Sequence, residues 1–350
     1  MAGSGRRFRA GLIGCGFFAQ NHLHAWKDLA DAVDLVALCD RDEARLAAAQ
    51  GRFGVAHGYR DAAEMFAKEE LDFVDIVTTM PSHEALVLEA ARAGCHVIVQ
   101  KPFAPTWREC VTMVEACREA GVTLMVHENF RFQTPLMAVR EVVASGAIGP
   151  LTWGRLTFRT GYDVYANQPY FYDEEQLIIL DLGIHVLDMA RVYLGEVERI
   201  ACETQRINPK IKAEDMATML LRHESGAVSV VDCTYAAKLD PDPFPQTLVH
   251  LEGRDGSIRL DVGYRMTVTT PAGTTTRSVD SPLLPWTSQP WHIAQESVLN
   301  TQRHWVTCLK EGRQPETSGE DNLKTYALVQ AAYRAAAEQR AVQPERWTPA

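Results

Sequence analysis

The chain has 350 residues, 46% hydrophobic and 23% charged, which excludes disorder, collagen and coiled coil as overall descriptions. The length favours two domains, or one large domain with embellishments. With 35 basic and 45 acidic residues the net charge is −10, so neither a nucleic acid nor a membrane is expected as a partner.

Arg6-Arg7-Phe8-Arg9 and the run Ala10 to Ala19 imitate an export signal. That run is shorter than a membrane span, and cleavage there would destroy the best motif in the chain. Cysteines 15, 39, 95, 110, 117, 202, 233 and 308 contain no C-x-x-C spacing, so zinc ribbons and redox pairs lack their pattern. Reduced thiols in a cytoplasmic globular protein are the expectation.

The motif is Gly14-Cys15-Gly16-Phe17-Phe18-Ala19, a G-x-G-x-x-A element between an apolar strand at 8–13 and a helical pattern of Phe18, His22, Trp26 and Leu29. Gly14 allows a tight turn, and Gly16 lets the backbone approach a pyrophosphate. Ala19 lets the helix pack closely, and the helix N-terminus supplies N–H donors. A second strand at 34–39 ends in Asp40, 21 residues after Ala19. An acid there suits the adenosine ribose hydroxyls and repels a 2′-phosphate, so NAD is favoured over NADP. Arg41 follows and can stack on adenine.

The α/β alternation continues. Asp61 opens a helix, and a strand at 73–77 runs into Thr78-Thr79-Met80-Pro81-Ser82-His83. A helix stopped by Gly94 and a strand at 97–99 come next. Thr106-Trp107-Arg108-Glu109 is a capping box for a helix stopped by Gly121, and a strand follows at 122–126. Short apolar strands between amphipathic helices predict a buried parallel sheet with ligands at the strand C-termini. Gly14, Asp40, Thr79, Gln100, Lys101 and His127 occupy those ends. The prediction is a Rossmann NAD-binding domain over 1–130 and a substrate and oligomerisation domain over 131–350, whose last helices can pack back on the first.

From Leu151 the rhythm changes to a strand at 151–159, a polar aromatic loop at 161–173 and a helix at about 176–194. Strands at 197–205, 217–222, 227–235, 247–252, 257–262 and 265–270 predict an antiparallel meander. The proline-rich stretches 240–245 and 282–290 are loops, and two helices finish the chain. Asp181, His185 and Asp188 fall at i, i+4 and i+7 on one helical stripe. They suit a solvated face, a metal site short of further ligands, or an acid–base pair facing a nicotinamide.

Taken together, the glycine motif with Asp40, Thr79-Met80-Pro81-Ser82-His83, Gln100-Lys101-Pro102, Asp181-Leu182-Gly183-Ile184-His185 and the segment from Gly312 to Asp321 resemble the glucose–fructose oxidoreductase / inositol dehydrogenase (Gfo/Idh/MocA) family over essentially the whole length. The resemblance implies an NAD-dependent oxidoreductase acting on CH–OH groups. Its fold would be a Rossmann domain followed by a mostly antiparallel open-sheet α/β domain. It implies cofactor contacts from Gly14, Gly16, Phe17, Phe18, Asp40, Arg41, Thr79, Met80, His83, Gln100, Lys101 and Asn129, with no metal. The catalytic residues would be Lys101, Asp181 and His185, with His185 as general base and Lys101 the runner-up for that role. Arg159, Tyr162, Asp163 and Gln168 would join them around a small sugar or polyol, with Tyr172, Arg131 and Tyr235 as further candidates. A homodimer or homotetramer through the open sheet is implied as well.

One departure is Gln100, where the family usually has Glu before Lys-Pro. With the segment His127-Glu128-Asn129-Phe130-Arg131-Phe132, it is most similar to the branch that oxidises D-apiose. The expected reaction is oxidation of C1 of a small aldose to its lactone. An inositol-type polyol dehydrogenase and a non-catalytic NAD-bound sensor are the alternatives.

Overall fold

A computed structural model of the chain describes residues 6–348. The described residues divide into two compact units, one of residues 6–129 with 298–323 and one of 130–297 with 324–348.

The first unit carries β1 (Phe8–Ile13), α1 (Ala19–Asp28), β2 (Val33–Cys39), α2 (Glu43–Phe53), β3 (His57–Tyr59), α3 (Ala62–Lys68), β4 (Phe73–Ile76), α4 (His83–Arg92), β5 (His96–Gln100), α5 (Trp107–Glu119) and β6 (Leu124–His127). Six parallel strands lie in the order β3-β2-β1-β4-β5-β6. Every residue of β4 and β6 is buried, Asp75 and His127 included, as strands of a parallel sheet covered on both faces are. Chain order reverses on the two sides of β1, the place where open α/β sheets leave a ligand crevice beyond the strand ends. Strand β3 was not anticipated, because His-Gly-Tyr at a sheet edge carries no apolar signal. The predicted helix starts are present. Asp61 accepts from the Glu64 amide, and Thr106 and Glu109 form a reciprocal capping box.

In the second unit α6 (Thr134–Ala144) precedes β7 (Leu151–Arg159) and α7 (Ile184–Leu194). The strands β8 (Val197–Gln205), β9 (Met216–His223), β10 (Val228–Thr234), β11 (Leu248–Gly253), β12 (Ser257–Asp261), β13 (Arg265–Thr270) and β14 (Gly273–Ser278) follow. Helices α8 (His292–Glu311) and α9 (Gly319–Glu338) close the chain. The sheet order is β14-β13-β12-β11-β7-β10-β9-β8. In β9, Ala217, Met219, Leu221 and His223 are buried while Leu220 and Arg222 face outward. The buried face shares one core with Leu187 of α7 and Leu328 of α9.

Two expectations need correction here. The sheet is not a single meander, because β7 lies parallel to β10 and antiparallel to β11, joining two antiparallel runs. Alternating burial reveals a strand but not its partner. Strand β14 was also missed, since its Gly and Thr residues are all exposed. No helix among the described residues is long and apolar enough to cross a membrane.

Candidate active site

The two motif glycines do different work. Gly14 has φ +97°, and a Cβ there would lie 2.6 Å from the Val77 carbonyl oxygen, so packing and backbone conformation both require glycine. A Cβ at Gly16 would meet nothing within 4 Å, so the fold does not need this glycine. Its smallness leaves space on the outer side of the turn. Helix α1 begins without a side-chain cap and without an acid in its first turn, so its positive dipole end is not neutralised by a side chain; the Asn21 amide donates to the Phe18 carbonyl at 3.0 Å.

Asp40 follows β2. Its carboxylate accepts from the Cys15 amide at 2.6 Å and from the Asp42 amide at 2.8 Å, tying the glycine turn to the end of β2. The backbone thus holds the carboxylate beside the turn. Phe17 is 74% exposed and Arg41 is exposed nearby in sequence. Burial and the neighbouring Asp40 carboxylate push the Cys15 and Cys39 thiols up to about 12, so both remain protonated and inert.

Thr79 and Met80 lie on a short turn whose Ser82 hydroxyl bonds Thr78 Oγ1 at 2.7 Å and the Thr79 carbonyl at 2.9 Å. His83 was expected among the cofactor contacts. It is fully buried, with Nδ1 3.0 Å from the Phe103 carbonyl and Nε2 3.2 Å from that of Thr78. It therefore ties the Thr78 turn to the chain after Lys101. Burial pushes its pKa below the ordinary value.

Gln100 also has its polar atoms committed within the protein. Its amide nitrogen is 2.8 Å from His22 Nε2, and its oxygen accepts from the Lys101 backbone amide at 3.0 Å. His22 Nδ1 in turn lies 2.8 Å from Asp75 Oδ2, which also accepts from Trp26 Nε1 at 2.7 Å. Lys101 is half-buried directly after β5, and the Lys101–Pro102 bond is cis. Asn129 is 5% exposed.

In the second unit, the helix expected from 176 starts as a π-turn over Ile179–Gly183. The wider turn changes the angle between residues four apart, so the step from Asp181 to His185 is not that of a regular α-helix. Glu214 satisfies the start of this element by accepting from the amides of Leu177 at 3.2 Å and Ile179 at 3.3 Å and from Tyr333 Oη at 2.8 Å. Tyr235 donates to Asp181 Oδ2 at 2.6 Å. Burial and the Asp181 carboxylate hold the Tyr235 phenol well above its usual value, so it stays a donor.

His185 lies on the first turn of α7 and is 3% exposed. It stacks on Phe130 with centroids 3.9 Å apart and planes within 5°. Asp188 belongs to the core. Arg131 grips it with Nε at 2.6 Å and Nη2 at 2.7 Å, and Arg191 Nη1 lies 3.3 Å away. Burial pushes the Asp188 carboxyl up, but the two guanidiniums and the Thr325 hydroxyl outweigh it and hold the group below its ordinary value. Arg131, a candidate substrate contact, has its Nε and Nη2 committed to this buried bidentate pair.

The loop residues are built into local contacts. Arg159 lies 3.3 Å from Asp232, which Arg155 and Thr157 also hold. Tyr162 stacks on Phe244 at 4.0 Å and meets the face of Trp291 edge-on. Asp163 accepts from the amides of Tyr165 and Ala166, which uses one of its oxygens as a turn cap. Gln168 accepts from Tyr170 Oη at 2.7 Å, and Tyr172 stacks on Tyr165. Aromatic rings run from His185 through Phe130, Phe158 and Phe244 to Tyr162. Sequence reasoning missed His22, Asp75, Glu214 and Phe130. For the three polar residues the one available signal is that a buried polar group takes a polar partner, and a single sequence does not say which.

The family model of NAD-binding Rossmann oxidoreductases named GFO_IDH_MocA matches residues 8–128, and the model of the GFO/IDH/MocA C-terminal domain matches 136–259. A D-apiose dehydrogenase of Paraburkholderia graminis is 53% identical over 97% of this chain and 90% of its own. One of Rhizobium rhizogenes is 52% identical over 95% and 96%. The crystal structure of an oxidoreductase from Agrobacterium radiobacter in complex with NAD+, L-tartaric acid and magnesium superposes with a TM-score of 0.95 at 51% identity, covering 97% of this chain and 98% of that one.

Proposed function

Because the chain belongs to the Gfo/Idh/MocA family of NAD-dependent oxidoreductases, we propose that it oxidises C1 of D-apiose to the lactone. The observation that carries the substrate is the full-length likeness to two D-apiose dehydrogenases.

The residues present fit NAD. The open space at Gly16 and the uncapped start of α1 suit a pyrophosphate, and the Asp40 carboxylate suits ribose hydroxyls while repelling a 2′-phosphate. Phe17, Phe18, Arg41, Thr79, Met80 and Asn129 would line the remainder. When bound, NAD accepts the hydride from C1.

The side chains of the protein manage the proton and the developing charge. Lys101 would hold the reacting oxygen and stabilise alkoxide character with its ammonium group. His185 would accept the hydroxyl proton, as an imidazole suits at neutral pH. Its ring plane is set by the Phe130 stack. Asp181, fixed by the Tyr235 phenol, would bond the substrate or the imidazole and stabilise the imidazolium. Tyr162, Arg159, Asp163 and Gln168 would contribute the polar and aromatic surface that a small sugar needs. A homo-oligomer in a cytoplasmic setting fits the outward Leu220 on the sheet and the eight free cysteines; a monomer by sedimentation would contradict the assembly.

The test is NADH formation from NAD with D-apiose, other aldoses and inositols, run beside Lys101→Ala. Turnover concentrated on D-apiose and strongly reduced, though measurable, in the variant is expected. Turnover on inositols alone would overturn the substrate.

A further inference from the structure

The hydrogen bonds beneath Lys101 have a direction that packing does not require. Asp75 Oδ2 can only accept, so His22 Nδ1, at 2.8 Å, carries the proton. In this tautomer His22 Nε2 is a lone pair, and the Gln100 amide nitrogen donates to it at 2.8 Å. That choice turns the Gln100 oxygen toward the Lys101 backbone amide, from which it accepts at 3.0 Å. Each link permits one polarity. Reversing any amide or tautomer would set donor against donor or acceptor against acceptor at the next link. Asp75 and His22 are fully buried and Gln100 is 6% exposed, so water cannot easily replace a lost partner.

We propose that His22 and Asp75 are positioning residues for Lys101. They fix the orientation of the Gln100 amide and, through it, the backbone of the residue that holds the reacting oxygen. This rests on the role given to Lys101 above. A core histidine serving packing alone could end on any acceptor. This chain of bonds ends on the amide of the residue directly after β5.

The test is a mutant cycle read as kcat and as NAD affinity. His22→Phe keeps a planar ring and removes both nitrogens; Asp75→Leu removes the acceptor. Each is expected to lower kcat on D-apiose about 10- to 100-fold, the scale of a small misplacement of a reacting group. NAD affinity, read by quenching of protein fluorescence, should stay within about twofold. Asp75→Asn should remain within about threefold of wild type in kcat. Asp75 Oδ1 has no hydrogen-bond partner among the described residues, so the amide can place its NH2 there and keep an oxygen on His22 and Trp26. In a Lys101→Ala background, His22→Phe should add less than about a twofold loss, because residues acting as a unit are non-additive.

Losses that multiply fully in the double variant would overturn the proposal alone, as would folded His22→Phe with wild-type kcat. Wild-type kcat in Lys101→Ala would overturn the role of Lys101 and the proposal with it. If His22→Phe does not fold, Asp75→Leu and Gln100→Met carry the same cycle. Sub-multiplicative losses in the Lys101→Ala background then support the proposal, and fully multiplicative ones overturn it.

Discussion

Tyr235 donates its phenolic hydrogen to Asp181 across 2.6 Å. The donor comes from the residue after β10 and the acceptor from the π-turn before α7. A sheet end and a helix start are thereby joined at a residue proposed to act in the reaction.

Tyr235→Phe removes this donor and little else. A hydrogen bond to a charged group is worth about 1.5–3 kcal/mol, so kcat/KM for D-apiose should fall about 10- to 100-fold. NAD affinity should be unchanged. Steady-state kinetics beside a fluorescence titration with NAD reads both.

Gly14→Ala and Gly16→Ala separate folding from cofactor binding. At position 14 the methyl group meets the Val77 carbonyl in a left-handed backbone, a strain costing about 1–3 kcal/mol, and the melting temperature should drop. At position 16 the methyl group meets no protein atom. That variant should melt like wild type and bind NAD more weakly, because the methyl group would crowd the pyrophosphate. Calorimetry with and without NAD distinguishes the two.

These contrasts mark what was readable beforehand. Strands β1, β7, β8 and β13 announced themselves at their observed ends, because burial writes itself into local patterns. Gly14, Asp40 and the Gln-Lys pair stood out for the same local reason, since their tasks need particular residue types. The parallel pairing of β7 with β10 joins segments about 75 residues apart, and no local pattern encodes it. His22 read as one member of a helical pattern, and Asp75 lay unremarked inside the strand at 73–77. Only the folded chain places them on one hydrogen-bond path to Lys101. Arg131 and Asp188 show the converse: a sequence gives their polar types, and only the folded chain shows them buried and paired.

Asp40→Ala should relax the coenzyme preference. Removing the carboxylate removes its repulsion of a 2′-phosphate, so the NAD/NADP ratio of kcat/KM should fall by about tenfold or more. It also frees the Cys15 and Asp42 amides, so affinity for NAD itself should weaken. Parallel kinetics with both coenzymes checks this.

The Asp188 cluster is a stability element with a pH signature. Its native carboxyl is held below the ordinary value, so the folded state binds the proton less readily than the unfolded one. The stability it contributes is full above the unfolded value of about 4 and is lost as pH falls through the folded value. Asp188→Asn should remove that acid dependence. Removing the carboxylate that the buried Arg131 grips should cost about 3–5 kcal/mol, while Arg191 keeps its bidentate pair with Glu196. Urea unfolding between pH 3 and 7 measures both.

The central claim is oxidation at C1 coupled to reduction of NAD, and a label at that carbon tests it most directly. D-apiose deuterated at C1 is incubated with NAD and the enzyme, and the nicotinamide is analysed by mass spectrometry and NMR. The account predicts NADH that carries the deuterium, formed together with the lactone. NADH free of deuterium, or no NADH from D-apiose under conditions where NAD binds, would contradict it.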